Sequence, residues 1–136
     1  MKKLLIALGA AAALGGVPAF AHHSFAMFDA QKLVVLKGTM ISFTTMNPHA
    51  WISIDATVEG QGKSSRWDVE ATAPFQLALM GLRADTLKAG DRVTMGIRPL
   101  RDGRNGGSFV FIVTADGVPH GADPVGLGRD LASLKP

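Results

Sequence analysis

The chain contains no cysteine and no tyrosine, and only 18% of its 136 residues are charged. Without cysteine it can be neither a disulfide scaffold nor a lipoprotein, and it has no thiol nucleophile. Because 47% of the residues are hydrophobic, an intrinsically disordered chain is also excluded. The length fits one domain, whose stability must come from an apolar core.

Motifs for common kinds of catalysis are absent as well. The sequence has no G-x-S-x-G nucleophile turn, no phosphate-binding loop and no dinucleotide fingerprint. Asp68 and Glu70 stand two apart on a predicted strand, but an open strand face would not desolvate them enough to separate their pKa values. No reaction is indicated, and a binding role is favoured over catalysis.

The first 21 residues are predicted to be a cleaved secretory signal. Lys2 and Lys3 precede an uncharged apolar run over residues 4–14, and Ala19 and Ala21 form a small-x-small cleavage site. The run is shorter than the ~20 residues of a membrane-spanning helix, so no span is expected after processing. Cleavage after Ala21 would release the chain into the periplasm. It would leave 12 of the 14 basic residues against 11 acidic ones, which disfavours a nucleic-acid partner.

Apolar side chains at every second position, or in short runs, predict strands over residues 33–43, 50–58, 65–71, 92–99 and 108–114. A short helix is predicted over residues 74–80, because Pro74 suits a first helical turn and Gly81 can end the helix. Gly38, inside the first strand, indicates a bulge or bend there.

This order of elements predicts an all-β fold with one short helix: a small five-stranded Greek-key barrel of the oligonucleotide/oligosaccharide-binding (OB) type. Closing the sheet would bury its apolar face and remove exposed strand edges. An open β-sandwich of the same strands is the alternative. The barrel is expected over residues 33–117, between an N-terminal leader over 22–32 and a tail rich in glycine and proline over 118–136.

Several short motifs resemble a widespread bacterial family of small exported proteins of unknown function. They are HHSF at residues 22–25, NPHAW at 47–51, WDVE at 67–70 and KAGDRV at 88–93. The resemblance extends from residue 22 to about residue 117. It implies an exported β-domain, and it implies no activity.

Cleavage after Ala21 would make His22 the first residue of the processed chain. An N-terminal histidine can chelate one metal ion with its α-amine and its own ring Nδ1, and both groups lose their protons readily near neutral pH. A third nitrogen from His23 or His49 would complete a set that suits Cu(II), which prefers tetragonal nitrogen sites. This ligand set resembles the histidine brace of periplasmic copper carriers and copper oxygenases.

His49 opens the second predicted strand, and the register of the following hairpin decides its neighbours. If Val58 lies opposite Ser65, Ser53 faces Glu70, and Glu70 lies within two strand positions of His49. A carboxylate there would orient the imidazole as it does around metal ligands.

The alternative for this face is a solvated charged surface, and it is the favoured interpretation because charged side chains are usually exposed. Arg66, Asp68 and Glu70 would then simply face water, and His49 would hydrogen-bond only within its turn. His120, in the tail, is expected to be solvated.

Met46 and Trp51 flank His49 and are further candidates. Thioethers bind Cu(I), so Met46 in the turn could be a ligand, whereas Met40 and Met95 follow strand patterns and are expected in the core. Alternation places Trp51 outward, where it could dock a partner or be covered by the leader.

The sequence therefore favours a small periplasmic binding module, with copper held by His22 and either His23 or His49 as the most concrete version. The alternative is an envelope interaction protein without a metal. It would dock a partner protein or a glycan through the leader and the face that carries Trp51.

Overall fold

The computed structural model describes residues 25–136, which contain six strands and one α-helix. The elements are β1 (Val34–Thr44), β2 (Trp51–Val58), β3 (Ser65–Glu70), α1 (Pro74–Leu79), β4 (Arg92–Pro99), β5 (Gly106–Val113) and β6 (Pro119–Gly121). Two short 3₁₀ helices flank them, Phe25–Met27 and Leu131–Leu134. The predicted signal segment and His22 to Ser24 lie outside the described residues.

Strands β1 to β5 form a closed barrel. The sheet runs in the order β3-β2-β1-β4-β5, and β3 also pairs with β5 in parallel, which closes the cylinder. Helix α1 lies in the chain between β3 and β4. The predicted barrel of the OB type is therefore confirmed, and the open sandwich is not formed.

The barrel interior is filled by the apolar residues that alternate along the strands. Ile52, Ile54, Val69 and Met95 are fully buried, and Trp67 is 9% exposed. The predicted inward and outward faces of β2 and β3 are thus correct. In α1 only Leu77 is buried, and Phe75 and Leu79 are exposed.

Of the bulge or bend predicted at Gly38, the bulge is not formed there. The register of β1 against β2 shifts between Met40 and Ser42 instead. Gly38 allows the two strands to approach closely, because a Cβ atom there would lie 2.1 Å from the carbonyl oxygen of Asp55. The glycine marks a point of backbone contact, which in a sequence looks the same as a bulge.

The β2–β3 hairpin is displaced by two residues from the predicted register. Ser53 pairs with Asp68 and not with Glu70, while Glu70 pairs with Trp51. Ser65 pairs with Ala56 and not with Val58. The last two residues of β2 extend beyond β3 and pair only with β1, where Val58 lies opposite Leu36. A shift of two residues keeps every side chain on its predicted face.

The C-terminal residues pack against the outside of the barrel. Leu134 is fully buried with Val35, Phe111 and Val113, and β6 pairs with the end of β5. Asp130 caps the last 3₁₀ helix by accepting a 3.0 Å hydrogen bond from the backbone N–H of Ala132. Within residues 25–136, no helix combines the length and the apolar character needed to cross a membrane.

Replacing Leu134 with alanine should lower the free energy of unfolding by about 2–5 kcal/mol, because it leaves a cavity over β1 and β5. Urea denaturation measures the change. The matched control is Leu79→Ala, which truncates a leucine that is 74% exposed and should have little effect. Equal effects of the two substitutions would contradict a packed C-terminal segment.

Candidate functional site

The beginning of β2 and the end of β3 are held together by backbone hydrogen bonds around Ala50. Its N–H donates to the carbonyl of Thr72 (3.2 Å), and its carbonyl accepts from the N–H of Ala71 (2.8 Å). Ala50 is fully buried, which fixes this end of the hairpin in the core. The neighbouring residues His49 and Glu70 consequently lie on the outer face as diagonal neighbours.

The side chains of His49 and Glu70 form a direct pair, in which Nδ1 of the imidazole contacts Oε1 of the carboxylate. An ionised carboxylate can only accept, so a hydrogen bond within this pair requires the proton to be on Nδ1. In a neutral ring this leaves the lone pair on Nε2 as the available ligand. Glu70 is 13% exposed and His49 40%, so a shielded carboxylate supports a ring that solvent can reach.

This pair corrects the favoured interpretation of a wholly solvated face. Arg66 and Asp68 are exposed as expected, but Glu70 is shielded, and His49 bonds across the hairpin to it. The predicted proximity of Glu70 and His49 is therefore right, although the predicted pairing of Glu70 with Ser53 was wrong.

The His49–Glu70 pair lies in the wall of a cleft of about 470 Å³. Most of the cleft is apolar, with polar groups at a few places. It is lined by Phe25, Phe28, His49, Glu70, Ala71, Thr72, Gln76, Met80, Ser108, Phe109, Val110, Gly121 and Ala122. The lining residues come from the leader, α1, β5 and β6 as well as from the hairpin.

Several of these lining residues were not predicted. Phe109 and Val110 reach the cleft because β5 runs parallel to β3, and no local sequence pattern indicates a parallel partner. Met80 follows the helix directly, and Phe25 belongs to the leader. Phe25 is exposed, and it is the last residue of the HHSF motif.

Met46 and His120 are not among the residues that line the cleft. Met46 is 60% exposed and does not line the cleft. His120 is half-buried in β6 and not solvated in a tail, because its Nδ1 lies 3.1 Å from the carbonyl oxygen of Met80. Trp51 points outward as predicted and is 46% exposed, directly across from Glu70.

Asp68 belongs to a separate polar group on the same face. Its carboxylate accepts hydrogen bonds from the Ser53 hydroxyl (2.5 Å) and from the Arg66 guanidinium (3.0 Å). Partial burial alone would raise the pKa of Asp68, but these hydrogen bonds and the charge of Arg66 together lower the pKa below 3.8. Asp68 is thus a carboxylate already bonded to its neighbours.

A metal ion would need more ligands than this part of the chain supplies. Within residues 25–136, no group of three or more histidine, cysteine, aspartate or glutamate side chains is arranged to hold one. The described residues contribute one oriented imidazole, backed by one carboxylate. His22 and His23 lie outside the described residues, three and two positions before Phe25, which lines the cleft.

Comparison with known proteins identifies a family. A family model described as a family of unknown function, DUF6152, matches residues 11–109. Because the match spans more than half of the chain, the chain belongs to this family. No curated protein and no solved structure matches the chain.

Asp68→Asn should lower the free energy of unfolding at neutral pH by at most about 1 kcal/mol, because the Arg66–Asp68 pair is half exposed and screened by solvent. Folding lowers the pKa of Asp68, so the contribution is present above 3.8 and is lost as the pH falls through the folded value. Urea denaturation over a pH series should therefore show the two proteins converging in acid. A difference that grows as the pH falls would contradict this assignment.

Proposed function

We propose that this member of the DUF6152 family is a small exported module that binds one Cu(II) ion. The ligands would be the α-amine and Nδ1 of His22, after removal of the first 21 residues, together with Nε2 of His49. Glu70 would orient the His49 ring. The role would be carriage or sequestration of the ion in the periplasm.

The observation that carries the proposal is the His49–Glu70 pair in the cleft wall. A histidine that donates one ring nitrogen to a carboxylate is the usual arrangement behind a metal ligand, because the carboxylate fixes the tautomer and increases the basicity of the other nitrogen. The solvent-accessible ring and the shielded carboxylate suit these two roles.

The distance along the chain supports a contribution from His22. Phe25 lines the same cleft as His49, and His22 lies three positions before Phe25 in the chain. Three extended residues span up to ~11 Å, so the N-terminus of the processed chain lies within that distance of a residue that lines the cleft. His23 remains the alternative third ligand, but His49 is preferred because its ring is already oriented.

The chemistry of the donors favours Cu(II) among the divalent ions. Three nitrogen donors suit a tetragonal site, and Cu(II) binds most strongly in the first-row divalent series. Cu(I) prefers sulfur, but the sequence offers no cysteine, and Met46 does not line the cleft. Export is supported by the charged start, the apolar run and the small residues before His22.

The first test blocks the N-terminal chelate. A processed chain that begins at His22 should bind one Cu(II) per molecule, with an electron paramagnetic resonance spectrum of a tetragonal nitrogen site. Three alanines placed ahead of His22 should weaken binding about 100-fold, because the amine and the first ring no longer act as one chelate. A competition titration against a chelator of known affinity measures the change.

Three alanines are needed, because one or two would put a histidine at the third position. An amine, two amides and a third-position imidazole chelate Cu(II) without help from a fold. The control is His120→Ala in the processed chain, which removes a histidine outside the proposed site and should leave the affinity unchanged. Weak and equal binding by the processed and extended chains would reject the proposal.

The second test addresses the His49–Glu70 pair. Glu70→Gln keeps the shape of the side chain but removes its charge, and it should weaken Cu(II) binding about 10–100-fold. His49→Ala should also remove one nitrogen from the hyperfine pattern of the spectrum. Asp55→Asn, on an exposed part of β2, is the matched control for loss of a carboxylate. Full affinity in both His49 and Glu70 variants would exclude them from the site.

A further inference from the structure

A second depression lies beside the cleft, on the face of the barrel that carries Trp51. It has a volume of about 330 Å³, and we call it the Trp51 trough. Its walls include Trp51, Asp68, Leu100, Arg104, Asn105 and Gly106. Its volume is at the small end of the ~300–1,000 Å³ typical of small-molecule sites.

Trp51 supplies an aromatic surface that remains accessible. Its side chain is 46% exposed, although the leader residues Met27 and Phe28 also line the trough. The leader thus forms one wall and does not cover the ring. Trp67, the other tryptophan of the chain, is in contrast only 9% exposed and belongs to the core.

Gly106 keeps the trough open next to Asp68. The two residues pair across the parallel β3–β5 ladder, in the row of positions that faces outward. A Cβ atom at Gly106 would lie 2.8 Å from Cδ1 of Leu100 and 3.0 Å from the carbonyl oxygen of Asp68. The absence of a side chain at this position therefore provides depth beside an exposed carboxylate.

The polar groups of the trough are held in place by their neighbours. Asp68 is bonded to Ser53 and Arg66, Arg104 Nε donates to Asp102 at 2.7 Å, and Asn105 Nδ2 donates to Ser65 at 3.1 Å. A ligand could donate hydrogen bonds to the Asp68 carboxylate and accept them from the Arg104 guanidinium. The side-chain carbonyl oxygen of Asn105 is a further acceptor. Groups fixed in advance lose little conformational freedom on binding.

We infer that the Trp51 trough binds a neutral sugar ring of an oligosaccharide. A pyranose has an apolar C–H face, which stacks on an indole, and a rim of hydroxyls that both donate and accept hydrogen bonds. The trough presents an indole together with donors and acceptors of both kinds. The walls carry two carboxylates, Asp68 and Glu70, against one guanidinium, Arg104, and this balance disfavours a phosphate backbone.

This inference is independent of copper, and its test is carried out in the presence of EDTA. The processed chain is titrated with chitohexaose, cellohexaose and maltohexaose while amide and indole resonances are followed by NMR. At least one sugar should shift the indole N–H of Trp51 in a saturable manner and leave that of the buried Trp67 in place. Trp51→Ala should weaken the binding about tenfold or more.

The control variant is Phe75→Ala, which removes an aromatic side chain that is 73% exposed on α1 and lies outside the trough. It should leave sugar binding unchanged. Asp68→Asn should weaken binding and leave the fold intact, as judged by an unchanged spectrum away from the trough. A single-stranded oligothymidylate is titrated in parallel.

The inference is overturned if none of the three sugars shifts the Trp51 indole. It is also overturned if binding survives Trp51→Ala, or if the oligothymidylate binds more tightly than every sugar. Failure of the copper tests would leave this result untouched, because the sugar titration contains no metal.

Discussion

The structure depends on the parallel pairing of β3 with β5, which turns a sheet into a closed barrel. This contact requires very close approach of neighbouring backbones at the start of β5. A Cβ atom at Gly107 would lie 2.5 Å from the carbonyl oxygen of Arg98, so a larger residue would push β5 away from β4. Gly106 and Gly107 therefore permit both neighbours of β5 to pair with it, and closure removes the exposed edges of β3 and β5.

Closure also determines where ligands could bind. The hairpin alone carries the His49–Glu70 pair, but the apolar wall beside that pair comes from β5 and β6. The Trp51 trough likewise takes one side from β2 and β3 and the other from the loop that leads into β5. Phe28 and Glu70 line both depressions, so the leader and the end of β3 form the ridge between them.

Much of the fold could be predicted, because alternation along β2 and β3 reports directly which side chains are buried. A two-residue error in pairing, such as placing Ser53 opposite Glu70 when it pairs with Asp68, leaves that alternation unchanged and cannot be detected in the sequence. For the site, the hairpin pattern alone was enough to predict that His49 and Glu70 lie close together. The rest of the cleft, such as Phe109, depends on long-range pairing that local patterns do not encode.

The His49–Glu70 pair and the cleft around it differ in how far apart their parts lie along the chain. The pair belongs to one antiparallel hairpin. The β5 wall, in contrast, forms only when Gly106 pairs with Asp68, and α1 and β4 lie between these two residues in the chain. Contacts between distant segments form slowly, since the entropy of loop closure must be overcome first. During folding, the imidazole and its carboxylate should therefore meet early, and the pocket that surrounds them should be completed last.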